Sequence, residues 1–277
     1  MSTSRGGQQG QHGVEGQADE PPRRKRKSRK DEEKPLAAPT PPPPADTRAQ
    51  RVLYVGCEGE STEPDYLNYL NERFGDGSLS GGRRFKIQPV YTKNGYTPAR
   101  AVAAAQSRAG EDEAWALFDR DEHHDIADAV KLAAEQGTEV CFSHPSFELW
   151  LLLHFQDFGG RRSGKNEDVI AALRKADPAF GKFDTRNNKS VKDKRRTALD
   201  EKESGAVSRA RRMVKQCEHG RCEAKSTRKD RYQWAGAPER PDPLIPQSGH
   251  AADCPVLGRD PSTDVWRLLV SLEIVDA

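Results

Sequence analysis

Short apolar runs alternate with helix-like stretches over residues 51–157. The apolar runs have the length and the β-branched and aromatic content of buried strands, whereas the stretches between them show helical spacing. Strands are predicted at RVLYVGC, FKIQPVYT, EAWALFD and TEVCFS, and helices at 64–74, 98–109, 122–136 and 146–155. Strands that alternate with helices of about ten to fifteen residues favour a parallel sheet joined by crossover connections. The pattern therefore predicts an α/β fold, with one Rossmann-like domain over 51–157.

The periodic signal weakens beyond residue 158. Helices are predicted at 168–175 and 202–217, and the stretch 218–261, rich in proline, glycine and charge, predicts a long irregular loop. Order returns with a terminal helix over 262–274, whose apolar residues fall on one face. We therefore expect a mainly helical and irregular C-terminal region over 158–277.

The first 50 residues have the composition of a disordered tail. They are rich in glycine and glutamine, carry a basic run from Arg23 to Lys30, and end in the proline run Pro41 to Pro44. Such a segment buries too little apolar surface to offset the entropy lost on ordering. The basic run either adds nonspecific affinity for nucleic acid or serves as a solubilising tail.

Charge is segregated along the chain, although the net charge is only +2. Residues 51–157 sum to about −8 and residues 158–231 to about +11. Clustered carboxylates suit divalent cations, and a basic block suits a phosphate backbone. A solvated surface would explain the basic block equally well, so charge alone leaves nucleic-acid binding open.

The sequence also indicates the cellular compartment of the protein. No apolar run is long enough to span a membrane, and the hydrophilic N-terminus is unlike a secretory signal, so we expect a cytoplasmic protein without membrane contact. The five cysteines are too few for a disulfide scaffold. Cys217, His219, Cys222, His250 and Cys254 either form a zinc site or are ordinary loop residues. The sequence contains no Walker-type phosphate loop, so the chain itself is not expected to hydrolyse ATP.

Acidic residues follow two of the predicted strands. Glu58 comes directly after the first strand, and Asp119 and Asp121 lie at the end of the third. The carboxyl ends of parallel strands meet at one edge of a sheet, and alternate side chains of Asp-x-Asp point the same way. Clustered carboxylates repel one another unless a cation such as Mg²⁺ lies between them. The pattern predicts a metal site, although either cluster alone is often only a helix cap or a solvated turn.

Four motifs in this order resemble one known family. CEGESTEPDY, ALFDRDEH, SHPSFELWLLLHF and DPSTDVWRLLVSL together are similar to the RloB-like proteins, which have a Toprim-type catalytic domain and occur in bacterial antiphage defence loci. The resemblance is dense over 51–155 and resumes at the terminal helix. It implies that Glu58, Asp119 and Asp121 are the Toprim acidic residues, with Mg²⁺ (or Mn²⁺) as cofactor for cleavage of nucleic acid.

Four further residues lie in or beside these motifs. Glu148 is a carboxylate in a strongly apolar helix, so we expect it near the site as a ligand, a supporting acid or the partner of a buried arginine. His144 either contacts substrate or simply ends the fourth strand. His123 and His124 are predicted to lie on a helix surface.

The resulting hypothesis is a metal-dependent nuclease acting on RNA, with tRNA as one candidate, or on DNA. Glu58, Asp119, Asp121 and Glu148 would be catalytic, and Glu58 would alternatively act as general acid or base. The alternatives are a noncatalytic nucleic-acid-binding or sensor protein and a topoisomerase- or primase-like transferase. A topoisomerase would need a nucleophilic tyrosine, and Tyr232 lies in the basic C-terminal region. We expect an ATPase from the same locus as a partner. The residues expected to hold the nucleic-acid backbone are Lys165, Arg174, Lys175, Lys189, Lys192, Arg195, Arg196, Arg209 and Arg212.

Overall fold

The computed structural model describes residues 50–121, 123–160, 165–223, 248–251 and 253–276. Apart from Gln50, the tail predicted to be disordered lies outside these residues, as do Tyr232 and residues 224–247 of the predicted loop. No helix in the described ranges is long and apolar enough to cross a membrane.

Helices and strands alternate through the first half of the described chain, and helices dominate the second half. Within the described residues the strands are Arg51–Cys57 (β1), Phe85–Val90 (β2), Glu113–Asp119 (β3), Glu139–His144 (β4) and Ser262–Thr263 (β5). The α-helices are Thr62–Phe74 (α1), Pro98–Ala109 (α2), Ile126–Gln136 (α3), Glu148–Leu153 (α4), Glu167–Ala176 (α5), Lys194–Leu199 (α6), Glu203–Val214 (α7) and Val265–Ser271 (α8).

The five described strands form one sheet in the order β2-β1-β3-β4-β5. β1, β2, β3 and β4 are parallel, and β5 runs antiparallel to β4 at the edge. The chain passes from β1 outward to β2 and then returns to the other side of β1 to form β3. The direction of winding therefore reverses between β1 and β3, which is where open α/β sheets usually form a ligand crevice.

The two faces of β1 illustrate why the sheet is covered on both sides. Leu53, Val55 and Cys57 alternate along the strand and are fully buried in the larger core. Gly56 lies on the opposite face of the strand, against α2. A Cβ atom at Gly56 would lie 2.0 Å from the carbonyl oxygen of Ala101, so only glycine lets this helix pack so close to the strand.

The helices divide between the two faces of the sheet. α2 and α3 cover one face in a smaller core that includes Val102, Ile126 and Phe142. The larger core on the other face joins residues of the strands to residues of α1, α4, α5, α7 and α8. Residues on both sides of position 157 therefore share one hydrophobic core.

The structure corrects several predicted boundaries. Ser262 and Thr263 were expected to begin the terminal helix, but they pair with β4 as β5, and the hydroxyls of Thr263 and Ser143 lie 2.8 Å apart. α3 begins at Ile126 rather than at 122, and α4 is shorter than 146–155. The described part of the loop 218–261 contains a 3₁₀ turn at Val256–Gly258. A strand of two residues has no period that a sequence pattern could reveal.

A buried ion pair ties α8 to the sheet. The Arg267 guanidinium donates to the Glu139 carboxylate at 3.1 Å and to the carbonyl of Val140 at 2.6 Å. Both charged side chains are almost fully buried. Because an isolated charge at this depth is strongly unfavourable, each residue requires the other.

Candidate metal centre in an acidic cleft

A cleft of about 640 Å³ opens at the carboxyl ends of the parallel strands. Residues that follow β1, β2, β3 and β4 all line it, so it lies at the switch point between β1 and β3. The acidic residues that line it are Glu58, Glu60, Glu63, Asp119, Asp121 and Glu148.

Glu58 and Asp119 are brought together by the register of β1 and β3. The backbone N–H of Glu58 donates to the carbonyl of Leu117 at 3.1 Å, which extends the ladder by one residue beyond β1. The side chain then turns back, and its Oε2 accepts from the backbone N–H of Asp119 at 3.0 Å. The acids after the first and third strands therefore meet, as the sequence pattern predicted.

The Asp119 carboxylate lies at the bottom of the cleft. Its Oδ2 accepts from the backbone N–H of Phe147 at 3.2 Å, whereas its Oδ1 is buried and has no hydrogen-bond partner among the described residues. Burial raises the pKa of Asp119 well above its ordinary value, and repulsion from Glu58 and Glu148 adds to the shift. An unpartnered, buried carboxylate oxygen among other acids is the environment that a bound cation would stabilise.

Asp121 is placed at the rim by a turn. It is exposed, has a positive φ of 24°, and its backbone N–H donates to the carbonyl of Pro145 at 3.0 Å. Burial raises the pKa values of Glu58 and Asp119, and the charge of Asp121 adds to both shifts, so the Asp-x-Asp pair and Glu58 share one electrostatic environment.

Two further acids lie in the wall of the cleft. Glu63, in the first turn of α1, accepts from the backbone N–H of Gly59 at 3.1 Å, and burial raises its pKa to about 7, with repulsion from Glu148 and Glu58 contributing. Glu148 is the first residue of α4, and its Oε1 lies 3.5 Å from Nζ of Lys189. Glu148 therefore lies beside the predicted site, with a lysine as its partner.

Basic groups at the cleft face these acids directly. Burial disfavours the charged form of Lys189, but nearby carboxylates, led by Glu148, raise its pKa overall. His123 Nε2 lies 2.9 Å from Glu58 Oε1. The expectation that His123 and His124 lie on a helix surface is wrong, because α3 begins only at Ile126 and both histidines precede it.

His144 has a structural position. It ends β4, is buried, and its Nε2 lies 3.6 Å from a carboxylate oxygen of Asp260. Burial lowers the pKa of His144. The sequence left open whether His144 contacts substrate or simply ends the fourth strand. Its buried position at the end of β4 matches the second of these roles.

The basic residues expected to hold nucleic acid fall into different environments. Lys189 lines the cleft, and Lys165, Lys175, Lys192 and Arg212 are exposed. Arg195 is buried against Phe180 and Phe183 and donates to backbone carbonyls, including that of Asn188 at 3.1 Å. Arg174 donates to Phe183, Arg209 to Leu153 and Arg196 to Glu72. Of the exposed residues, Arg212 donates to Asp157 at 2.7 Å, and Nζ of Lys192 lies 3.5 Å from Asp65.

Sequence reasoning did not assign two residues of the cleft. Glu63 was visible only as one of several acids after the first strand, and His123 was assigned to a helix that begins later. No local signal distinguishes them, because their proximity to Glu58 depends on how the loops fold back over the sheet.

The donor set of the cleft as a whole fits a hard divalent cation, because it consists of several carboxylates, one of which has an unpartnered oxygen.

Comparison with known proteins gives one match. The family model described as RloB-like protein matches residues 53–272. This range contains every helix and strand described above, apart from the first two residues of β1. A search of curated proteins found no match, and a search of solved structures also found none. Since the family model covers most of the chain, the protein belongs to the RloB-like family.

Proposed function

We propose that the chain is a Mg²⁺-dependent nuclease of the Toprim type that hydrolyses phosphodiester bonds in RNA or DNA and acts in bacterial antiphage defence. The observation that carries the proposal is the meeting of Glu58 with the buried, partly unpartnered carboxylate of Asp119 at the switch point of the sheet. The role in defence rests on family membership.

Glu58, Asp119 and Asp121 would hold the ion, and Mn²⁺ would be accepted by the same oxygen donors. When bound, Mg²⁺ supplies charge stabilisation at the phosphoryl oxygens and favours deprotonation of an attacking water. Without a cation, burial raises the pKa values of Glu58 and Asp119, and the charge of Asp121 adds to both shifts, so the site has an electrostatic preference for positive charge.

The chain's own groups would bind the phosphate and move protons. The Lys189 ammonium is partly exposed to the cleft and is held by Glu148, which suits it to contact a nonbridging phosphate oxygen. His123 Nε2 lies 2.9 Å from Oε1 of Glu58, so the ring would exchange a proton with that carboxylate. In this proposal Glu148 acts chiefly by positioning Lys189.

The substrate backbone would extend from the cleft over exposed basic residues such as Lys165, Lys175 and Arg212. Binding should then weaken steeply as salt concentration rises. We also propose that an ATPase partner from the same locus triggers activity, so the assay should include the chain alone and the chain with that partner.

The test is cleavage of tRNA, single-stranded RNA and duplex DNA in Mg²⁺, Mn²⁺ or a chelator. Asp119→Ala should reduce cleavage by about 100-fold or more, because even groups that only support metal ligands contribute about 10–100-fold. Asp128→Ala, which removes an exposed aspartate from α3, is the matched control and should retain wild-type activity. Equal cleavage by the wild type and Asp119→Ala would refute the proposal.

Calorimetric titration with Mg²⁺ separates catalysis from binding. The wild type and Asp128→Ala should bind the ion, and Asp119→Ala should bind it much more weakly. The absence of carboxylate-dependent Mg²⁺ binding would instead support a noncatalytic nucleic-acid-binding or sensor protein.

A further inference from the structure

A second cluster of possible metal ligands consists of Cys217, Cys222, His250 and Cys254. One ligand atom from each residue can be chosen so that all four lie within 4.8 Å of one another. The first two residues follow α7, and the last two precede the 3₁₀ turn at Val256–Gly258. Two separate stretches of the chain therefore converge on one point, and none of the four residues is among those lining the acidic cleft.

The distances within the cluster are those expected around a single ion. The Sγ atoms of Cys217 and Cys254 lie 3.6 Å apart, and Sγ of Cys254 lies 3.8 Å from Nδ1 of His250. In a tetrahedral site with Zn–S of about 2.3 Å and Zn–N of about 2.0 Å, ligand atoms are separated by roughly 3.5–3.8 Å. A disulfide would require about 2.05 Å between the sulfur atoms, so this cysteine pair is not bridged.

We propose that Cys217, Cys222, His250 and Cys254 bind one structural zinc ion. Three thiolates and one imidazole form a complete tetrahedral set, which leaves no open position for a substrate or water. Soft sulfur donors also select zinc over the hard cations that suit the acidic cleft. Cys222 and Cys254 are buried, as the ligands of a closed structural site should be.

The surroundings of the cluster support ligation by thiolates. The backbone N–H of Ala251 donates to Sγ of Cys222 at 3.4 Å, and a hydrogen bond of this kind stabilises negative charge on sulfur. His219 is the competing ligand, because its Nδ1 lies 3.9 Å from the same sulfur. His219 lies outside the group of four residues whose ligand atoms are all within 4.8 Å of one another, and its Nε2 lies 3.3 Å from Asp253.

The ion would fasten the edge strand of the sheet. The two stretches already meet through a backbone hydrogen bond of 2.7 Å from Glu223 to Gly249. Beyond the cluster, the buried Arg259 donates to the carbonyl of Cys254, and the Ser262 hydroxyl donates to the carbonyl of Arg259 at 2.7 Å. The zinc site therefore links the end of α7, through this short segment, to β5. β5 has only two residues, so such an anchor would add to the contact that its Thr263 hydroxyl makes with Ser143 of β4.

The first measurement is the zinc content of the wild-type protein, purified without added metal, by elemental analysis and native mass spectrometry. We expect about one zinc ion per chain, and its replacement by Co²⁺ should give the intense absorption of tetrahedral thiolate coordination. Wild-type protein without zinc that also fails to take up Zn²⁺ or Co²⁺ would overturn the proposal. A disulfide between Cys217 and Cys254 under reducing conditions would overturn it equally.

Variants then identify the ligands. Cys254→Ser and His250→Ala should reduce zinc content by about tenfold or more, whereas His219→Ala should retain it. Loss of zinc in His219→Ala with retention in His250→Ala would refute this ligand set. Asp119→Ala should keep its zinc, so failure of the nuclease proposal and failure of the zinc proposal give different results. If a cysteine variant does not fold, the wild-type metal content and cobalt spectrum still decide the question.

Discussion

Protonation of His154 should destabilise the fold at mildly acidic pH. This residue follows α4 and is only 2% exposed. Its Nδ1 lies 3.0 Å from the carbonyl of Trp150, and its Nε2 lies 3.4 Å from the hydroxyl of Tyr66. A neutral imidazole satisfies both contacts, with Nδ1–H as donor and Nε2 as acceptor. The folded protein therefore favours the uncharged ring.

The size of the effect follows from the shift of the pKa. Burial, with a smaller contribution from the cations of Lys202 and Arg209, lowers the pKa of His154 from 6.5 to about 4. Because the folded-state pKa is below the unfolded one, the unfolded chain binds more protons, and stability is lost as pH falls below 6.5 toward 4. Between pH 7 and pH 5 this linkage lowers the free energy of unfolding by about 2 kcal/mol.

Denaturant unfolding at pH 7 and pH 5 tests this expectation. His154→Asn keeps a donor near the Trp150 carbonyl but cannot titrate, so the wild type should lose about 2 kcal/mol more than this variant on acidification. Contributions from other titrating groups are common to both proteins and cancel in the comparison. His124→Asn changes an exposed histidine and should behave as the wild type. The same pH dependence in the wild type and His154→Asn would refute the reasoning.

Three further changes test the fold and the site. Gly56→Ala should lower the free energy of unfolding by about 1–3 kcal/mol in denaturant titrations, because the new Cβ atom would lie 2.0 Å from the Ala101 carbonyl oxygen. An unchanged free energy of unfolding would show that α2 can shift freely. Arg267→Met should lower the free energy of unfolding by about 3–5 kcal/mol, because it removes the guanidinium that faces the buried Glu139 carboxylate at 3.1 Å. Adding Glu139→Gln should recover most of that loss, and no recovery would exclude this cause. Asp119→Asn should raise the melting temperature of metal-free protein, because it removes a carboxylate crowded by other acids. It should also abolish the stabilisation by Mg²⁺ that the proposed site predicts for the wild type, and a variant still stabilised by Mg²⁺ would contradict the proposed role of this residue as a ligand.

Local sequence pattern was enough to identify the parallel strands and the acids at their ends. β1 and β3 are short, apolar and bounded by polar residues, and their periodicity is set by the backbone itself. Once the sheet is parallel, the carboxyl ends of its strands lie at one edge. The meeting of Glu58 with Asp119 could therefore be anticipated without coordinates.

The other features depend on contacts between residues far apart in the chain. β5 exists only because β4 offers an edge, and His123 reaches Glu58 only because its loop folds back. Arg195 has the same charge as its exposed neighbours in sequence, but tertiary packing placed it inside. Neither hydrophobic period nor composition encodes which distant side chains fill the same space. The sequence by itself therefore determined the four parallel strands and the acidic edge of the sheet, and only the tertiary structure decided the edge strand and which side chains complete each site.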